Sequence, residues 1–227
     1  MAIYVTGDTH GKFSKISNRN FKIAKKLTKK DYLIILGDFG LLWEYLPSKE
    51  EKYWLKFLNS RNFVVLFIDG NHEHHIRLKN IPEIKMFNGK VGKVSDNIFH
   101  LKRGEIYTID NKKIFCFGGA KSVDKHLRIE HISWWKEELP TYEEINHAFD
   151  NLEKNDYTVD YIFAHSAPIK IVKKAFPIYF DFNCPTGKLL DEICNKTNFK
   201  HFYCGHFHEN LDFENYHFIY DQVMLLD

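Results

Sequence analysis

Asp8 and His10 stand two positions apart in Gly7-Asp8-Thr9-His10-Gly11. At the end of an extended segment this spacing points both side chains to the same side of the chain, where a carboxylate and an imidazole can grip one cation. Asp38 follows Gly37, whose missing side chain allows close backbone approach. The two oxygens of such a carboxylate can bridge two ions. Asn71 offers a neutral carbonyl oxygen, and His165, His206 and His208 add imidazole nitrogens, the last two again spaced by two. Together they form an oxygen-plus-nitrogen donor set for two metals, with no thiolate required. Each piece alone is commoner as a turn or a hydrogen-bonded strand end. What sets the group apart is that five segments each place a metal-competent residue after an apolar run.

Those runs are the elements that must position the chemistry. Ala2–Thr6, Tyr32–Leu36, Phe63–Ile68, Ile114–Phe117, Tyr161–Ala164 and His201–Cys204 are short, apolar on both faces and rich in β-branched or aromatic residues, which predicts buried strands. Between them lie helical patterns. Ser48-Lys49-Glu50-Glu51 and Thr141-Tyr142-Glu143-Glu144 have capping-box spacing ahead of apolar periodicity. Phe21, Ala24 and Leu27 mark an earlier helix, with Lys25, Lys26, Lys29 and Lys30 as its solvated face. Strand–helix alternation predicts a parallel sheet covered by helices, while Asn88-Gly89 and Asp110-Asn111 suggest hairpins, so the sheet is expected to be mixed. Two stretches lack periodicity: 121–140, with Trp134 and Trp135, and 168–188, rich in Phe, Tyr and Pro. Following strand ends, they can border a pocket or simply cover core with their aromatics.

The 227 residues, 44% hydrophobic and 27% charged, suit one compact domain spanning 1–227. With 32 Lys+Arg against 30 Asp+Glu, the formal charge of +2 argues against a binder of long nucleic acids. No apolar run approaches the roughly 20 residues of a membrane helix, and the N-terminus lacks the basic and apolar regions of a signal peptide, so a cytoplasmic location away from membranes is expected. Cys116, Cys184, Cys194 and Cys204 show no Cys-x-x-Cys pair and read as reduced, mostly buried thiols. Gly118-Gly119 and Gly187-Lys188 lack the spacing of nucleotide-binding loops, the latter having Phe182 where a P-loop needs its first glycine.

The ordered series Gly7-Asp8-Thr9-His10-Gly11, Gly37-Asp38, Gly70-Asn71-His72-Glu73, His165 and Gly205-His206-Phe207-His208 closely resembles the calcineurin-like metallophosphoesterases and spans almost the whole chain. The resemblance implies an α/β fold, a four-layer α/β/β/α sandwich with mixed sheets and two divalent ions at the strand ends. It implies one ion on Asp8, His10, Asp38 and His208 and a second on Asp38, Asn71, His165 and His206, with Asp38 as bridge. It also makes His72 a non-ligand catalytic residue beside the leaving group. Manganese, iron or zinc suits such donors better than magnesium or calcium. Two ions roughly 3.5–4 Å apart can share a water, lower its pKa and clamp a phosphoryl group for direct attack, with His72 protonating or hydrogen-bonding the leaving oxygen.

The implied activity is hydrolysis of a small phosphorylated substrate, a phosphate mono- or diester. A nuclease or cyclic-nucleotide phosphodiesterase uses the same core, and a non-catalytic scaffold is the reading of another class. The second motif, Gly37-Asp38-Phe39-Gly40, lacks the Asp-Arg-Gly extension of the protein phosphatases in this superfamily, so the residue orienting His72 and one phosphate-binding arginine are unassigned. Arg77, Arg103, Lys121 and Arg128 are candidates for the missing charge. Arg128, in the aromatic insertion, is the first choice for substrate binding beside Asn71. His74, His75, His100, His126, His131, His147, His201 and His217 lack ligand spacing and are expected at the surface or in hydrogen bonds. Oligomeric state is left open.

Overall fold

A computed structural model describes residues 1–178 and 183–226. Positions 179–182 of the second expected insertion, Phe182 included, lie outside the described residues. The apolar runs form strands β1 (Ile3–Thr6), β2 (Tyr32–Leu36) and β3 (Val64–Ile68), which pair in parallel in that order. With β4 (Glu83–Met86), β5 (Gly89–Lys93), β6 (Ile98–Leu101) and β13 (Val223–Leu225) they make a seven-stranded sheet ordered β13-β1-β2-β3-β6-β5-β4, antiparallel at β13 and β5. A six-stranded sheet contains β7 (Ile106–Ile109), β8 (Lys112–Phe117), β9 (Tyr161–Ala164), β10 (His201–Cys204), β11 (Leu211–Phe213) and β12 (Tyr216–Phe218), ordered β11-β12-β10-β9-β8-β7. Both sheets are mixed, as the hairpin signals require.

Strand alternation sorts the side chains into three cores. Ile34 and Leu36 of β2 meet Cys116 of β8 and Phe163 of β9 between the sheets. Their neighbours Leu33 and Ile35 face outward onto Phe21 and onto Leu58 of α1 (Lys49–Asn59). On the far side, Phe115 and Phe117 of β8 pack against α3 (Tyr142–Lys154), α4 (Ile169–Ala175) and α5 (Pro185–Lys196) through Ala148, Leu152, Val172, Leu190 and Ile193. Helices therefore cover both outer faces, giving the four-layer α/β/β/α arrangement. Each large side chain buried in these layers contributes roughly 1.5–3 kcal/mol relative to exposure.

Local chemistry explains the element ends. Thr141 and Glu144 close a reciprocal capping box at α3. At α1 the Ser48 hydroxyl accepts from the Glu51 amide at 3.0 Å, but the Glu51 carboxylate is drawn away to Arg77 at 2.7 Å, so only half the box forms. Both hairpins use two-residue turns in the left-handed region, Phe87-Asn88 at φ 56° and 67° and Asp110-Asn111 at 52° and 61°, so the first lies one residue earlier than Asn88-Gly89. The expected first helix is only a 3-10 turn, Lys22–Lys25. Phe21, Ala24 and Leu27 are buried as expected, but their spacing of three matches three residues per turn, and the Asp31 carboxylate then accepts from the Thr28 amide and closes a turn. Among the described residues no helix is long and apolar enough to cross a membrane.

Candidate metal centre

Every proposed ligand sits just past the carboxyl end of a strand: Asp8 and His10 after β1, Asp38 after β2, Asn71 after β3, His165 after β9, and His206 and His208 after β10. Donor atoms of Asp8, His10, Asp38 and His208 lie within 4.8 Å of one another. Within that group His10 Nε2 is 3.7 Å from Asp38 Oδ2, and His208 Nε2 is 3.1 Å from Asp8 Oδ2. On the other side of Asp38, His165 Nε2 lies 3.2 Å from Oδ1 and 3.1 Å from Asn71 Oδ1. The His206 ring lies 5.0 Å from that of His165, centroid to centroid. The two oxygens of Asp38 thus face different imidazoles. His10, Asp38, His206 and His208 all have positive φ, at 45°, 45°, 70° and 53°. Left-handed backbone at four neighbouring non-glycine positions is strain of the kind that collects at functional sites.

Glycines make the approach possible. A Cβ on Gly37, whose φ is 89°, would lie 2.1 Å from His165 Nδ1, and one on Gly70 would lie 2.0 Å from Asp38 Oδ1. His165 Nδ1 is 2.8 Å from the Leu36 carbonyl, a contact that keeps a proton on Nδ1 and turns Nε2 toward the cluster, where it could serve a metal once its own proton is lost. Burial opposes charge on His165, yet Asp38 and Asp8 push the imidazole up to about 10. Burial together with His165 holds His206 down to about 4. Asp8 and Asp38 are 4% and 2% exposed. Two buried carboxylates concentrate negative potential at one point, strongly enough to hold a proton on His165, and a divalent cation that took that proton's place would satisfy the same demand.

A ring of supporting residues holds these ligands, and of them only Glu73, inside the third motif, and Arg103, a candidate cation, were singled out by the sequence. Lys15 Nζ donates to the carbonyls of Gly7, Asp8 and Tyr220 at 2.9, 2.8 and 2.7 Å, using all three ammonium protons, and the Tyr220 ring stacks on His208. Burial lowers this lysine to about 8. Glu73, fully buried, accepts from the Phe39 and Gly40 amides and fixes the loop behind Asp38. The Asn71 amide donates to Ser122 Oγ at 3.2 Å, and Ser122 donates to buried Glu138 at 2.5 Å, which turns Asn71 Oδ1 toward His165. At the end of β3, Asp69 forms a buried pair with Arg103 at 2.6 Å and contacts His100 at 3.1 Å. Arg103 also donates to the Glu137 and Glu138 carbonyls, pinning the 121–140 segment to the same strand.

His72 lies beside the cluster, its ring 4.8 Å from that of His10 and stacked under Trp43. Its amide donates to Asp38 Oδ1 at 2.8 Å. Burial lowers the imidazole to about 4. Of the four candidate cations, Arg128 reaches it: Nη2 is 2.9 Å from His72 Nε2. Arg77 and Arg103 are instead committed to Glu51 and Asp69. Lys121 borders a cavity of about 20 Å³ behind His206, together with Ile169, Val172 and Cys184 of the second aromatic stretch. Trp134 and Trp135 are buried, and Trp135 packs edge-on against Trp43 and beside His74, so the first insertion both covers core and walls the site. Cys204 is a buried core thiol outside the cluster. His74 caps α2 (His75–Lys79), and His100, His147, His201 and His217 are hydrogen-bonded; His75 is buried with its Nε2 unpartnered.

The family match agrees with this architecture. The sequence profile described as calcineurin-like phosphoesterase matches residues 1–210. Curated proteins give no match. Among solved structures, a protein from Staphylococcus aureus provisionally described as a 5'-nucleotidase, in complex with alpha-ketoglutarate, is similar at 15% identity with a TM-score of 0.49. The similarity covers 96% of this chain and 48% of that one, so the present chain spans about half the length of its structural relative. The profile match extends over every motif described above, and the chain belongs to the calcineurin-like phosphoesterase family, a class of metal-dependent phosphoric ester hydrolases.

Proposed function

We propose that the protein hydrolyses a small phosphate ester with two divalent ions, one held by Asp8, His10, Asp38 and His208 and the other by Asp38, Asn71, His165 and His206. Manganese, iron or zinc is the expected metal, given imidazole nitrogens beside carboxylate and amide oxygens. The observation that carries this reading is the convergence of Asp8, His10, Asp38 and His208 donor atoms within 4.8 Å, with His165 and Asn71 gathered at the remaining Asp38 oxygen. Bound ions of this kind supply an activated water and neutralise charge on the phosphoryl oxygens.

The chain's own residues account for the rest. His72, outside the ligand set but next to it, is placed to give a proton or hydrogen bond to the leaving oxygen. Arg128, in contact with His72, is the side chain we assign to the phosphoryl group, with Asn71 beside His165 as its partner in substrate binding. A cleft of about 270 Å³ opens between His10 and His72 and is walled by Leu41 and Trp43, room for a small leaving group. Residues 1–227 act as one unit in this reading, with 121–140 and 168–188 bordering the site.

The test is hydrolysis of chromogenic phosphate esters by manganese-loaded protein, with a chelated sample and Asp38→Asn as controls. Turnover lost in both controls is expected. Turnover surviving in Asp38→Asn contradicts the ligand assignment, and protein that holds no metal and turns over nothing is a binding scaffold instead.

A further inference from the structure

The charges around His72 and its cleft bear on which phosphate ester fits. Arg128 is the one cationic side chain in hydrogen-bond contact with His72 among the described residues, and its charge is already spent: Nε and Nη2 lie 2.8 and 2.7 Å from the two oxygens of Asp124. Its Nη1 also donates to the Ser133 carbonyl at 3.1 Å. The cleft between His10 and His72 is lined by Lys12 against Glu44, Glu50 and Glu51. Glu51 is neutralised by Arg77, which leaves one cation facing two carboxylates. Lys15 is turned away onto three carbonyls. The segment carrying Arg128 also exposes Val123, Leu127, Ile129 and Ile132. Beyond the metals, a phosphoryl group here meets little uncompensated positive charge and an apolar rim.

We propose that the preferred substrate is a phosphate diester, with one negative charge on its phosphoryl group, rather than a monoester dianion, and that Asp124 sets this preference by neutralising Arg128. The inference rests on the phosphoesterase reading above. A second negative charge needs a matching fixed cation, whereas two organic arms gain from Trp43, Leu41 and the apolar rim. In the reaction water adds to phosphorus, the P–O bond to one alcohol breaks, and that alcohol leaves with one proton of the water. The other proton and the oxygen stay on the monoester product. As it loses its proton, that product becomes a dianion, which the same charge pattern disfavours, so it leaves.

The experiment compares kcat/KM for bis-4-nitrophenyl phosphate and 4-nitrophenyl phosphate, which share a leaving group, using manganese-loaded wild type, Asp124→Asn and the exposed pair Glu44→Gln/Glu50→Gln. Wild type is expected to favour the diester. Asp124→Asn should shift the ratio toward the monoester by about tenfold, the effect of one released charge at a partly exposed site. Glu44→Gln/Glu50→Gln, at two exposed carboxylates outside the core, should shift it the same way by roughly threefold. A wild type that favours the monoester, or a ratio unmoved in both variants, overturns the inference and leaves the phosphoesterase reading standing. Turnover of neither ester by protein that binds metal removes that reading, and this inference with it.

Discussion

His10 and His208 keep 31% and 50% of their side chains accessible, whereas His165 has none exposed and Asn71 sits at 4%. The two halves of the cluster share Asp38 and differ in what stands behind them. The open half, Asp8, His10 and His208, is held by backbone carbonyls around Lys15 and by the ring of Tyr220. Behind the closed half stands a continuous buried network, Glu138 through Ser122 to Asn71, with Arg103 and Asp69 beneath it. His206 is half-buried, but His165 and Asn71 are oriented before an ion arrives and leave water less room to compete, so an ion held there would exchange more slowly. An open site keeps a face for substrate. The difference predicts unequal affinities, tighter in the closed half.

The largest effect tests the shared residue. Asp38→Asn removes charge from both halves at once and should lower turnover on the order of a thousandfold while weakening both ions, as steady-state kinetics and metal analysis would report. Arg103→Met attacks the support of the closed half. Leaving the buried Asp69 carboxylate with His100 alone and no guanidinium should cost about 3–5 kcal/mol of stability, measurable by urea denaturation. Next comes a contrast between single ligands: His208→Ala should lose one ion and retain the closed-half ion, so that stoichiometry falls from about two to about one. Should His208→Ala release both ions together, the halves are not distinct. Ser122→Ala frees the Asn71 amide to rotate and should weaken the closed-half ion by roughly 10–100-fold with the open half unchanged.

The smallest effect is a pH dependence. Burial raises the Asp69 carboxyl, but the Arg103 guanidinium together with the His100 hydrogen bond and the charges of His100 and His75 outweighs it and holds the group well below its usual range. A carboxylate depressed on folding contributes stability that is present in full above its unfolded value, about 3.9, and is lost as pH falls toward the folded one. Unfolding free energies of the wild type from urea denaturation should therefore decline below about pH 4 more steeply than those of Asp69→Asn, by up to about 1.4 kcal/mol per pH unit. Equal slopes would mean that the pair contributes nothing.

The same contrast explains what could be read from the chain beforehand. Ligands of both halves are local signals, residues two apart or just behind a glycine at a strand end, and the hairpins at Asn88 and Asn111 follow from turn chemistry. The supports are not local. Ser122 meets Asn71 across 51 positions and Arg128 meets His72 across 56, and such contacts leave no periodicity to find. Arg128 was one cation among four. What separated it from Arg77 and Arg103 was that buried acids, Glu51 and Asp69, had already claimed the other two. The missing first helix is an error of period: Phe21, Ala24 and Leu27 fit a 3-10 turn as well as an α-helix face.

A manganese titration of metal-free protein, followed by calorimetry with hydrolysis of a phosphate diester recorded at each point, tests the divided two-ion centre most directly. Two binding steps of unequal affinity are predicted, with turnover rising only as the second, weaker ion fills the open half. A single step, or full turnover after one equivalent, would contradict a two-ion centre divided in this way.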